Sequence, residues 1–152
     1  MTVFILILIF TGLLFIVSKI GLNPFKDFKN NARIGTGITF MLTGFFHFLM
    51  PATFMKLMPP FIPEPLLMIY LSGIFEILGG IGLILSKTKT WAGYGLILLL
   101  LAVFPANIYV AWENVQLGGF MNYPVYQWFR VVLQFALIGW VYWTAGGRDE
   151  NE

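Results

Sequence analysis

No cysteine occurs in the chain, and only one histidine does. The first absence excludes disulfides, thiolate metal sites and a CxxC redox shuttle carried by this chain. The second excludes a structural zinc centre and a haem with two histidine ligands, so no metal site is expected. Charge is scarce as well. Only 11% of residues are charged and 59% are hydrophobic, whereas a soluble domain carries about 25% charged residues. A water-soluble fold of 152 residues cannot hide so much apolar surface. The net charge of +2 lies in loops, without a basic patch or interleaved aromatics, which argues against a nucleic acid partner. The partner left is the lipid bilayer, and the chain reads as an all-α integral membrane helix bundle.

Five apolar stretches organise it. The first, Thr2 to Ser18, lies in an N-terminal segment, residues 1–20. It lacks a basic n-region and a small-residue cleavage site, so it reads as a retained helix rather than a signal peptide. No charge interrupts it, so it is expected to face lipid outside the bundle. A linker follows from Lys19 to Arg33, with a turn at Asn23-Pro24. Residues 33–145 carry the other four stretches: Ile34 to Met50, Leu66 to Leu85, Trp91 to Trp112, and Pro124 or Trp128 to Thr144. Residues 146–152 form a polar tail. Between the second and third stretches, five prolines from Pro51 to Pro65 interrupt an apolar segment too short to span. It reads as an interfacial or partly re-entrant cap. Pro105 frees the carbonyl of Leu101 and is expected to kink its helix. Asn122 and Pro124 suit the start of the last one. Gly35/Gly37 and Gly93/Gly95 read as helix contacts rather than phosphate loops.

Five spans put the termini on opposite sides. Lys19, Lys26, Lys29, Arg33, Lys87, Lys89 and Arg148, seven of the nine basic residues, then share one side. The positive-inside rule makes that side cytoplasmic, with the N-terminus outside and the C-terminus inside.

Four of the stretches carry a polar group that lipid does not tolerate: His47, Glu76, Asn107, and Arg130 with Gln134. An ionisable group there costs roughly 2.5–3.5 kcal/mol on insertion scales. Thr39, Thr43 and His47 repeat every four residues on one helical face. Glu76 sits in a stripe of small residues, Ser72, Gly73, Gly79 and Gly80, so it faces protein. At a rise of about 1.5 Å per residue, His47 lies within about 6 Å of the outer helix end, Asn107 about 8 Å, Arg130 about 9 Å and Glu76 about 15 Å, with Gln134 about 6 Å deeper than Arg130. These groups can line an outward-facing cavity, with Met58-Pro59-Pro60-Phe61 above it.

Two readings stay open. In one, Glu76 and Arg130 form a buried ion pair, completed by His47, Asn107 and Gln134, that fixes helix register and adds little net stability. In the other, the five residues form a ligand site for a quinone- or lipid-like molecule. Glu76 is then a carboxylate if Arg130 reaches it and a neutral hydrogen-bond donor if not. No cofactor is assigned beyond such a quinone. An acid–base enzyme on a lipophilic substrate ranks third, because no nucleophile–base pair can be read from spacing.

The strings GFFHFLMPATFMKLMPPFIP, YLSGIFEILGGIGLIL, AVFPANIYVAW and WFRVVLQFALIGWVYW together resemble the DoxX-like membrane proteins, over about Arg33 to Trp143. The resemblance implies a four-helix membrane bundle, to which the first helix is an addition, and a shared site at His47, Glu76, Asn107, Arg130 and Gln134. It also implies a partner, a membrane oxidoreductase complex, since the family takes its name from a small subunit associated with a thiosulfate:quinone oxidoreductase. Distant animal relatives act as assembly chaperones for receptor subunits, which makes an assembly factor for membrane proteins the alternative. The lack of cysteine departs from thiol-handling bundles of similar shape and argues against disulfide chemistry.

Overall fold

The computed structural model describes residues 2–19 and 27–146. The expected turn at Asn23-Pro24, Lys26, Arg148 and the tail beyond Gly146 lie outside the described residues. Those residues form α1 (Thr2–Lys19), α2 (Phe28–Leu49), α3 (Pro51–Met55), α4 (Pro65–Ile84), α5 (Lys89–Trp112) and α6 (Pro124–Ala145), with a turn of 3-10 helix at Gly119–Asn122 and no strand among them.

The helix ends follow local chemistry. Proline opens α3, α4 and α6, where its missing N–H has no intrahelical partner to lose. Asp27 caps α2, accepting from Lys29 N at 3.2 Å. α2 therefore starts six residues earlier than the apolar pattern indicates, and Arg33 belongs to the helix rather than to a loop. Arg33 is only 2% exposed. Its guanidinium donates to the carbonyls of Leu83 and Ile84, which the end of α4 leaves open, and to Asn30 Oδ1 at 3.1 Å. Asn122 does not cap α6. Tyr123 holds that position, and Asn122 Oδ1 accepts from Gly118 N at 2.7 Å. This closes a turn in which Gly118 and Gly119 adopt φ of +102° and +58°. α5 runs through Pro105 without interruption.

Four helices form a ring, each packed on the next in the order α2, α4, α5, α6, with a smaller contact between α6 and α2. α1 packs along α2. It contributes to the core instead of standing outside the bundle as its uncharged sequence leads one to expect: Ile7 and Thr11 are buried, and Ile7 joins Phe40, Leu83, Leu96, Leu137 and Val141. Its other faces expose Leu8, Leu13 and Ile16.

Glycines set the closest approach. A Cβ on Gly37 would lie 2.7 Å from the Gly80 carbonyl oxygen, and one on Gly44 would lie 2.7 Å from that of Gly73. Both pairs are seven residues apart along their helices, two turns, so α2 and α4 touch backbone to backbone twice on one face. Gly35 is closed by Thr11 of α1, and Gly93 by Ala145. Gly95 makes no such contact: a Cβ there meets nothing within 4 Å.

α6 meets α2 through residues of its C-terminal half. Trp140 Nε1 donates to Thr36 Oγ1 at 2.9 Å, Lys29 Nζ donates to the Gly146 carbonyl, and Phe28 meets Trp143. Replacing Trp140 by phenylalanine removes a half-buried hydrogen bond and is expected to cost about 1 kcal/mol, read as a lower midpoint in thermal unfolding.

α4 and α5 are long and apolar enough to cross a membrane. α1 is apolar but shorter. α2 and α6 have 22 residues each, but Lys29, Asn30, Asn31 and Arg33 in one, and Gln127, Arg130 and Gln134 in the other, dilute their apolar character.

Candidate functional site

The expected polar residues fall into two groups. The first lies between α2 and α4. His47 Nδ1 is 3.0 Å from the Ile69 carbonyl oxygen and 3.1 Å from Ser72 Oγ, which itself donates to Ile69 O at 2.9 Å. His47 Nε2 lies 3.6 Å from Glu76 Oε1, and Thr43 Oγ1 donates to Glu76 Oε2 at 2.7 Å. The Glu76 side chain is 18% exposed.

Counting from helix ends puts Glu76 about 9 Å deeper than His47. Their antiparallel helices close that gap. Side chains lean toward the N-terminus of their own helix, so Glu76 leans toward the end where α4 begins and His47 leans inward from the end of α2. Gly44 and Gly73 bring the two backbones close enough for both to reach.

The second group lies between α5 and α6. Arg130 Nη2 donates to Asn107 Oδ1 at 3.2 Å, Asn107 Nδ2 donates to Gln134 Oε1 at 2.6 Å, and Gln134 Nε2 donates to the Leu100 carbonyl. That carbonyl lies beside the one Pro105 deprives of its partner, where a side chain from a neighbouring helix can reach exposed backbone.

Among the described residues, no hydrogen bond or ion pair links the two groups. Glu76 pairs with His47, not with Arg130. The reason is topological: α4 and α6 stand diagonally, each packed on α2 and α5. Sequence reasoning also missed Thr43 and Ser72 as partners of the acid and the imidazole. It noted both side chains, but only as members of helical faces.

The segment after α2 covers the first group through Phe54 of α3, whose ring lies 3.9 Å, centroid to centroid, from His47. Of Met58-Pro59-Pro60-Phe61, Pro59 is buried and Phe61 is 72% exposed. A small open cleft of about 20 Å³ lies elsewhere, at the start of α5 and the end of α6, lined by Thr90, Gly93, Tyr94, Ile97, Tyr142 and Ala145. None of the five expected site residues lines it.

Among known proteins, residues 36–145 match the family described as Domain of unknown function (DUF8561). No curated protein and no solved structure matches the chain.

Proposed function

The chain belongs to the DUF8561 family, and from its geometry we propose that it is a DoxX-like integral membrane protein whose outer polar groups bind a quinone- or lipid-like amphiphile, as the membrane subunit of a redox complex. Five helices cross the inner membrane, with the N-terminus outside and the C-terminus in the cytoplasm. Supporting this, α2 and α6 are each about 33 Å long against a hydrocarbon core of about 30 Å. The bundle exterior is apolar, with Leu78, Leu98 and Phe135 each more than half exposed. Lys29, Arg33, Lys87 and Lys89 lie at one end of the helices, as the positive-inside rule requires of a cytoplasmic face.

The observation that carries the ligand reading is the division of labour at the opposite end. Imidazole and acid stand on α2 and α4, a guanidinium and two amides stand on α5 and α6, and among the described residues no direct bond joins the two sets. α6 closes on α2 through Trp140, Trp143 and Gly146, all near the basic end. A small oxygen-bearing headgroup entering between the groups would accept from Arg130 on one side and meet His47 and Glu76 on the other, with its tail in the apolar surroundings.

The test is mass spectrometry of the protein in native membrane discs, wild type beside Arg130→Gln. A quinone- or lipid-like species present in the first and lost in the second supports the reading. A stoichiometric protein partner without any small molecule overturns it in favour of an assembly factor. A C-terminal tag is expected to report from the cytoplasm, and a periplasmic signal would overturn the orientation.

A further inference from the structure

His47 is the only histidine in the chain, and its hydrogen-bond geometry constrains where protons sit. The Ile69 carbonyl oxygen, 3.0 Å from Nδ1, can only accept. Nδ1 therefore carries a hydrogen. Ser72 Oγ is close to the same nitrogen but has its own acceptor in Ile69 O. With Nδ1 committed, Nε2 is either a bare lone pair or a second N–H, and it faces Glu76 Oε1 at 3.6 Å.

A neutral ring beside an ionised Glu76 would set the Nε2 lone pair against a carboxylate oxygen, in a site largely shielded from water. Two arrangements avoid this. Either Glu76 is a carboxylic acid directed at Nε2, or the ring is an imidazolium beside the carboxylate. Both hold the same number of protons, and both leave the pair with no net charge, the condition least costly in low dielectric. Thr43 Oγ1 donates to the other carboxyl oxygen and suits either form. Around the pair, α3 contributes the Phe54 ring, and Lys56 beyond it is exposed. α4 also carries Tyr70, which stacks on Phe48. Between α5 and α6, Asn107 engages the Arg130 guanidinium. None of these groups has a hydrogen bond or ion pair to His47 or Glu76 among the described residues.

We propose that His47 and Glu76 together form a single proton-binding site that holds one shared proton and is neutral when loaded, placed at the polar end of the bundle under the Phe54 ring. The site follows from side-chain geometry alone and stands whether or not an amphiphile binds nearby.

The test uses the full chain in lipid nanodiscs at pH 7, with ¹⁵N-labelled histidine read by NMR and the carboxylic acid stretch read by infrared difference against Glu76→Gln. The expected result is a hydrogen on Nδ1 together with one further proton in the pair. That proton appears either as a carboxylic acid band lost in the variant beside a neutral ring, or as an imidazolium without that band. If the variant does not fold, ¹³C labelling of glutamate in the wild type assigns the band instead. A neutral ring with no acid band overturns the proposal, as does a ring with its hydrogen on Nε2 alone.

Discussion

Gly80→Val is expected to abolish the folded bundle, or to leave it more than about 3 kcal/mol less stable. A Cβ at this position would sit 2.5 Å from the Gly37 carbonyl oxygen, 2.8 Å from Met41 Cγ and 3.0 Å from the Met41 amide nitrogen. Two of the three obstacles are backbone atoms in the middle of α2, which cannot rotate away. Overpacking against side chains costs about 1–3 kcal/mol, and against fixed backbone it costs more. Total stabilities run about 5–15 kcal/mol, so the loss is a large share. The matched controls are Gly95→Ala and Gly139→Ala, where the added carbon meets nothing within 4 Å. These are expected to hold or to gain up to about 1 kcal/mol from helix propensity. Monodisperse yield and thermal midpoint in detergent read all three. A Gly80→Val protein as stable as the wild type would mean that α2 and α4 do not cross at Gly37 and Gly80.

The second large effect concerns which polar residues act together. Glu76→Gln and His47→Ala are expected to be coupled by about 0.5–3 kcal/mol in a double-mutant cycle, as contacting residues are. Glu76→Gln and Arg130→Gln are expected to add to within about 0.3–0.5 kcal/mol. Arg130→Gln and Asn107→Leu should couple again, since the guanidinium donates directly to that amide. The sequence alone leaves Glu76 and Arg130 as one candidate ion pair, being opposite charges within one small bundle. Coupling between them as strong as between Glu76 and His47 would overturn the division into two groups.

The glycine contacts were legible in outline. Small residues at spacings of three, four and seven around Glu76 marked a face of close approach, and Gly73 and Gly80 do lie against Gly44 and Gly37. Which glycines of α2 they meet was not legible, because register between helices depends on the connection through α3 and on where each helix starts. The same limit explains Gly95, which shares its spacing with Gly93 but points away from α6. Arg33 escaped for another reason. The apolar pattern fades over Phe28–Arg33, and the buried guanidinium is met there by the open carbonyls at the end of α4, which the sequence of α2 does not reveal.

Composition and pattern by themselves determined that the protein is all-α, where its main helices run to within a few residues apart from the early start of α2, and which side chains are too polar for an apolar exterior. Those properties are local: they follow from the period of the apolar residues, from the prolines that open helices, and from the rarity of polar groups within apolar stretches. Only the tertiary structure decided who meets whom. The ring order α2, α4, α5, α6 sets Glu76 and Arg130 on diagonal helices, and the opposed lean of side chains on antiparallel neighbours brings His47 down to Glu76. Pairing across helices depends on the order, direction and register of packing, quantities that no single helix carries in its own sequence.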